Sequence, residues 1–457
     1  MAQSTDTPIY DIELKCNSLI LHIKQNNKET FIFENALDKA CEKWLQDNKS
    51  QKELDKLIKK QDGKYYIFKP LIVKYENIDT NTESKESQND TESKRKIIYA
   101  KDEISFKNCV FCGEVRFEYI SFGALDSIVD KETESNNSLR IDFQRCEFKE
   151  RVYFTNCEFN GNVFFNHAVF HKYADFHESI FNGIVSFYNA TFKSAPNFST
   201  CVFSNLQATN FINVKINGLE FAEIKNFISE YRNDKTYKKE IKLSKEKQET
   251  IKKHKIRYAN NARDSFRTIK NVLIANNNLL DASIWHKLEL YAKEIELRLP
   301  EPESINNQNN KYKKWIDLIQ LCFYRHTSAH HTDLLKILSW FVVLVGGFAT
   351  ILFFIKDLNS IALWGSIFAV TFISLLFMYL FKKINCFGFF TLLNLVPCVW
   401  LLTWNPKYIF GVANLFGNDT NQNNISLNLI LSLYSILFIL VIFSLQKTAR
   451  KNSIIPN

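Results

Sequence analysis

Residues 165–192 read FNHAVFHKYADFHESIFNGIVSFYNATF, in which phenylalanine recurs after alternating intervals of five and six residues. The longest block with this alternation contains Phe143, Phe148, Phe154, Phe159, Phe165, Phe170, Phe176, Phe181, Phe187, Phe192, Phe198 and Phe203. An earlier, shorter block contains Phe106, Phe111, Phe117 and Phe122. A small or β-branched residue stands two positions before most of them. Because side chains two apart on a strand share a face, we expect each phenylalanine and its small neighbour to point inward from a short strand.

The eleven-residue unit predicts a coil with four short sides. Gly161 and Gly183 lie 22 residues apart, which corresponds to one predicted circuit of the chain. Both glycines lie inside six-residue intervals, as does Gly113, and a backbone with positive φ is expected at these turns. Successive circuits would stack, so that each coil covers the edge of its neighbour. Cysteines in the register, such as Cys146, are expected to be small core residues rather than ligands.

In residues 168–176, AVFHKYADF, a small residue precedes each phenylalanine by two positions. This pattern resembles the Phe-rich, alternating 5/6 form of the pentapeptide-repeat family. The resemblance implies a right-handed quadrilateral β-helix. A β-sandwich with aromatic strands is the alternative, but its hairpin strands would not be separated so regularly by two or three residues. Residues 264–294 are similar to the helices that follow the repeats in membrane-attached members, which implies that they join the solenoid to the bilayer.

The C-terminal part of the chain is apolar. Four stretches are long enough to cross a bilayer and contain no Asp, Glu, Lys or Arg: residues 337–355, 361–381, 386–404 and 425–445. Lysines and arginines flank them at 325, 336, 382, 383, 447, 450 and 451, whereas the opposite loops contain only Lys356 and Lys407. By the positive-inside rule, both termini are predicted to be cytoplasmic. We expect a multi-pass protein of a bacterial-type inner (plasma) membrane, with the lipid bilayer as a partner.

A multi-domain organisation is therefore predicted. Its parts are a small α/β N-terminal unit (1–77), a polar linker (78–97), the pentapeptide-repeat β-helix (98–226) with an insertion near 123–140, a basic helical region (227–333), four transmembrane helices (334–446) and a cytoplasmic tail (447–457). A helical hairpin is expected at 259–299. The fold class is thus a β-helix solenoid, followed by a helical linker and a four-helix transmembrane domain.

Residues 232–257 contain eleven basic and four acidic side chains. A solvated helix explains this composition. Contact with anionic lipid is the more specific alternative, because each basic charge near such a surface contributes about 1 kcal/mol of binding free energy. Nucleic acid is an unlikely partner, since no aromatic residues are arranged beside the charges to stack on bases.

Few residues indicate a metal-binding or catalytic site. Cys322, His326 and His330 are weak candidates for a metal site, because His326 and His330 would share a helix face as two zinc ligands can. Cys109 and Cys112 form a CxxC without a second pair. The common phosphate-binding and nucleophile motifs are missing from the sequence. We therefore expect no cofactor and no enzyme activity.

Solenoids usually offer a long rigid surface for binding. The sequence accordingly predicts a protein-binding or scaffold role at the cytoplasmic face of the membrane, with a protein partner on the solenoid surface. The alternative is an ion channel or a transporter-linked sensor in which the solenoid regulates the membrane domain. In that case the loop at 405–424 would be a re-entrant or interfacial segment.

Overall fold

The computed structural model describes residues 10–15, 17–24, 31–47, 50–76, 96–98, 103–123, 139–218, 220–230, 247–299, 308–356, 386–404, 406–410 and 425–452. The chain forms two compact units, Met1–Asn307 and Gln308–Asn457. Most of the predicted linker and insertion, the predicted second span (361–381) and most of the loop at 405–424 lie outside the described residues.

Short strands of the first unit form four sheets, named A to D in the order in which the chain visits them from β3 onward. Sheet A contains β3 (Phe31–Ile32), β8 (Glu103–Ser105), β12 (Arg140–Asp142), β16 (Asn162–Phe164), β20 (Val185–Ser186) and β23 (Thr209–Asn210). Sheet B contains β4 (Ile58–Gln61), β5 (Lys64–Ile67), β9 (Cys109–Phe111), β13 (Glu147–Phe148), β17 (Val169–Phe170), β21 (Thr191–Phe192) and β24 (Lys215–Ile216).

The other two sheets complete each circuit. Sheet C contains β1 (Tyr10–Lys15), β2 (Ser18–Lys24), β6 (Leu71–Glu76), β10 (Val115–Arg116), β14 (Val152–Tyr153) and β18 (Ala174–Asp175). Sheet D contains β7 (Lys96–Ile98), β11 (Ile120–Phe122), β15 (Glu158–Phe159), β19 (Ile180–Phe181) and β22 (Val202–Phe203). Because consecutive strands visit A, B, C and D in turn, the chain forms a four-sided β-helix.

Strand pairing shows the length of each coil. Phe148 pairs in parallel with Phe170, as the sequence spacing predicts for a 22-residue circuit. Phe111 also pairs with Phe148, although it lies 37 positions earlier. The 15 additional residues correspond to the insertion at 124–138, which leaves the register of the sheets unchanged on either side.

The turns differ from the sequence prediction. Positive φ occurs in the five-residue intervals, once per eleven-residue unit, at non-glycine residues such as Asn156 (φ 55°) and Asn189 (φ 56°). Gly161 and Gly183 do not have positive φ. A Cβ on Gly161 would collide with the backbone of Leu139, and one on Gly183 with that of Gly161. Glycine is needed there because neighbouring coils approach closely, so the expectation of left-handed glycines was wrong.

Residues before 77 contribute to the β-helix itself. Strands β3, β5 and β6 pair in parallel with β8, β9 and β10, respectively. Helices α1 (Phe33–Gln46) and α2 (Gln51–Leu54) interrupt this first circuit. The ring of Phe33 packs 5.0 Å from that of Phe106, so α1 extends the same core. Strands from both sides of the predicted boundary at residue 77 therefore pair in the same sheets.

In the described part of the first unit, the last coil is followed by the helices α3 (Phe221–Glu230), α4 (Lys247–Ala275) and α5 (Leu279–Arg298). The predicted hairpin is present as α4 and α5, but it packs on the solenoid instead of serving only as a linker. The Phe198 amide donates to Ser265 Oγ (2.8 Å), and the Thr200 amide donates to Asp264 Oδ2 (2.9 Å). In the preceding coil the amide of Phe176 donates to the next coil. Helix α4 thus supplies the acceptors that a further coil would have provided.

The second unit is helical where it is described. It contains α6 (Gln308–Ser328), α7 (Leu334–Lys356), α8 (Cys386–Trp404), a 3₁₀ turn (Pro406–Ile409) and α9 (Ile425–Asn452). Two helices are long and apolar enough to cross a membrane, over Leu334–Leu352 and Asn428–Arg450, and Phe387–Thr403 is a shorter apolar helix. The described residues therefore contain two helices of full spanning length, and the predicted count of four is not confirmed.

Candidate binding surface

Stacked phenylalanines fill the solenoid interior. In each of four columns, the rings of successive coils lie 4.7–5.2 Å apart and within 10° of parallel. Rings of adjacent columns meet edge to face, as Phe176 and Phe187 do at 5.6 Å. All twelve phenylalanines of the long block are buried. The interior is a packed core, so any binding must use the outside.

Cysteines in the register hydrogen-bond to the backbone. The Cys146 thiol donates to the carbonyl of Phe106 (2.9 Å), and that of Cys157 donates to Phe117 (2.8 Å). Ser179 occupies the equivalent position one coil later and bonds to Phe154 O. Burial raises the pKa of the Cys146 thiol far above its usual range, so this sulfur stays protonated and unreactive.

Short polar side chains close the turns of the coils. Asp175 Oδ1 accepts the amide of His177 (3.0 Å) and the Asn197 side-chain amide (2.9 Å). One coil later, Asn197 accepts the amide of Ser199 in the same way. Burial raises the pKa of Asp175 to about 6, although the His177 amide opposes the shift. These groups hold the turns together and form no open site.

Charged side chains on the outside pair with one another across neighbouring coils. The carboxylate of Asp142 is buried between Lys107 (2.9 Å) and Arg140 (2.8 Å). Lys172 contacts Glu150 at 2.6 Å, one coil away. These ion pairs join side chains of neighbouring coils on the outside of the solenoid.

An apolar patch interrupts this polar surface near the last coils. We call it the end patch and define it as Ile184, Val202, Leu206, Leu279 and Leu280, which are 46%, 51%, 42%, 65% and 75% exposed. Asn276 Nδ2 donates to the carbonyls of Leu206 (3.1 Å) and Thr209 (2.8 Å), which holds the α4–α5 turn beside the coil corner. The sequence did not predict this patch, because the hydrogen bonds that assemble it join residues about 70 positions apart.

The predicted metal candidates do not come together. Helix α6 ends at Ser328, and His330 lies in the following turn with φ 55°, so His326 and His330 do not share a helix face. His326 is exposed, His330 is buried and Cys322 is partly buried. Within the described ranges no group of three or more His, Cys, Asp or Glu side chains could hold a metal ion.

Only part of the basic segment 232–257 is described, as the start of α4. Lys252 and Lys253 are exposed there. The anionic-lipid contact of this segment stays a prediction.

Comparison with known proteins agrees with the repeat geometry. Residues 139–180 match the family model described as pentapeptide repeats (9 copies). This segment is a pentapeptide-repeat β-helix. Its sheets continue on both sides of the matched residues, from Phe31 to Ile216. No curated protein and no solved structure matches the chain.

Proposed function

We propose that this chain is a membrane-anchored scaffold whose pentapeptide-repeat β-helix binds another protein through the end patch, without catalysing a reaction. The observation that carries the proposal is the set of five exposed apolar side chains near the last coils of a solenoid on which charged side chains such as Asp142 and Glu150 are ion-paired. Single exposed apolar residues are ordinary, whereas grouped ones mark interaction sites on soluble surfaces.

The structure of the rod favours this role. Stacked aromatic rings and inter-coil hydrogen bonds make a rigid support, so the end patch is preorganised and loses little entropy on binding. The partner would present a complementary apolar surface, because Leu279 and Leu280 offer no charge to recognise. Their exposure at the α4–α5 turn lets them enter a pocket on that partner.

The apolar helices support the anchoring part of the proposal. Helices α7 and α9 each have the length and composition of a membrane span. We propose a four-span arrangement with both termini cytoplasmic in a bacterial inner membrane, in which α8 and residues 361–381 supply the other two spans. The distribution of Lys and Arg around the apolar stretches is the support for this orientation.

A pair of matched substitutions tests the binding role. Leu206→Glu places a charge in the end patch, and Ile72→Glu places one on sheet C near the other end of the solenoid; both native side chains are 42% exposed. Each variant and the parent would be purified with their partners from gently solubilised membranes. We expect Leu206→Glu to lose a partner that Ile72→Glu and the parent retain.

Equal recovery of the same proteins by all three chains would contradict binding at the end patch. Loss in both variants would point to general unfolding, which thermal denaturation of the purified chains separates from loss of binding. The channel alternative predicts ion flux in reconstituted vesicles that does not depend on Leu206.

A further inference from the structure

Helix α6 presents an exposed apolar stripe. Tyr312, Trp315, Ile316 and Ile319 follow the spacing i, i+3, i+4, i+7 of one helix face and are 68%, 63%, 58% and 47% exposed. We call these four residues the α6 stripe. The stripe combines aromatic side chains that have a polar atom with branched aliphatic ones, which is the composition found where a helix meets lipid headgroups.

The C-terminal end of α6 is fixed beside the ends of both membrane-length helices. Ser444 Oγ of α9 donates to Ser328 Oγ (3.0 Å), and His331 Nδ1 also lies 3.0 Å from Ser444 Oγ. Trp340 Nε1 of α7 donates to the carbonyl of His326 (3.0 Å). These contacts hold α6 at the level where the apolar segment of α7 begins and that of α9 approaches its end.

A tight turn separates α6 from α7, so the two do not form one long helix. Ala329, His330 and His331 all have positive φ, at 47°, 55° and 65°. The His330 amide donates back to the carbonyl of Tyr324 (3.0 Å), which closes the end of α6. Three consecutive left-handed residues without glycine are costly, and they persist only where the surrounding contacts fix them.

Charge complementarity indicates what covers the stripe. Lys313 is exposed beside it, and Lys314 and Arg325 lie on the same helix, against the single acidic residue Asp317. Basic side chains next to an apolar face favour the surface of an anionic bilayer. We propose that α6 lies in the interface of an anionic membrane, with the α6 stripe inserted at the boundary between headgroups and acyl chains.

This inference rests on the proposed membrane anchoring, and one experiment distinguishes the two. An environment-sensitive fluorescent amino acid is placed in the full chain at Ile319 in the stripe, at Gln320 on the exposed flank of the same helix, or at Ile439, which is exposed on α9. Each chain is reconstituted into vesicles of phosphatidylcholine and phosphatidylglycerol. Phospholipids brominated in the upper acyl chain quench probes in the membrane, and iodide quenches probes in water.

We expect brominated lipid to quench the probes at Ile439 and Ile319 several-fold more than the probe at Gln320, and iodide to show the opposite order. Quenching at Ile439, together with iodide quenching at Ile319 equal to that at Gln320, would overturn the interfacial helix while anchoring holds. Iodide quenching at all three positions would contradict the anchoring itself. Replacing phosphatidylglycerol by phosphatidylcholine should weaken quenching at Ile319 and leave Ile439 unchanged.

Discussion

The solenoid and the apolar helices use the same kind of side chain in opposite ways. Phe170 and Phe176 are fully buried inside the β-helix, whereas Leu429 and Ile439 of α9 are about as exposed as surface residues, at 59% and 61%. Only 28% and 33% of the apolar windows of α7 and α9 are buried inside the protein. The solenoid excludes water by itself, and the helices present an apolar exterior that matches a lipid solvent.

We expect the largest loss of stability from a substitution inside the solenoid. Phe170→Ala removes a ring that stacks on Phe148 (5.1 Å) and Phe192 (4.7 Å), so we expect a loss of about 3–5 kcal/mol in the free energy of unfolding. Hydrogen exchange of the detergent-solubilised chain should show faster exchange across the neighbouring coils. Tyr188→Ala removes an exposed ring and should cost less than about 1 kcal/mol. Equal protection in both variants would show that the column is not the core.

A charge on the exposed face of α9 tests whether this helix meets lipid. Ile439 lies midway along the apolar window, and Ile439→Lys should oppose insertion by about 3 kcal/mol. We expect a reduced membrane-embedded fraction in an insertion assay. Gln446→Lys, near the end of the window, should insert like the parent because its ammonium reaches the headgroups. Normal insertion of Ile439→Lys would indicate that this face meets protein or water.

Substitutions where α4 contacts the last coil of the solenoid should have a smaller effect on stability. Ser265→Ala removes the acceptor of the Phe198 amide, and leaving a buried donor unpaired costs about 1–3 kcal/mol. We expect the Phe198 amide to exchange faster than in the parent. Thr268→Ala is the control, because Thr268 Oγ1 donates to Asp264 O of its own helix (2.9 Å) and not to the solenoid residues that the structure describes. If the two variants exchange alike, α4 does not replace a coil.

The last prediction concerns how the free energy of unfolding changes with pH. Because burial raises the pKa of Asp175 to about 6, the folded chain binds this proton more tightly than the unfolded chain, so stability falls as pH rises from about 4 to 6. Asp175→Asn keeps an oxygen for the His177 amide and removes the ionisation. We expect this variant to be more stable than the parent above pH 6, because it lacks the buried charge that the parent then carries. Denaturant titrations across that range measure the difference, and parallel pH profiles would contradict it.

The predictability of each region follows from how local its interactions are. The spacing of phenylalanines specified the columns, since each ring stacks on the ring one circuit away. Spacing could not show which interval contains the left-handed residue, although asparagines at 108, 156 and 189 were a usable signal. The first circuit was missed because Phe31 and Tyr65 do not follow the five-and-six rhythm. The packing of α4 on the last coil depends on side-chain hydrogen bonds between distant segments, which no local sequence pattern reveals.

Alkaline carbonate extraction of membranes that contain the full chain tests whether α7 and α9 anchor the protein in the bilayer. We expect the full chain to stay in the membrane pellet, while residues 1–307 expressed alone are released to the supernatant. Release of the full chain would contradict the account, because α7 and α9 would then pack within a soluble or peripheral domain.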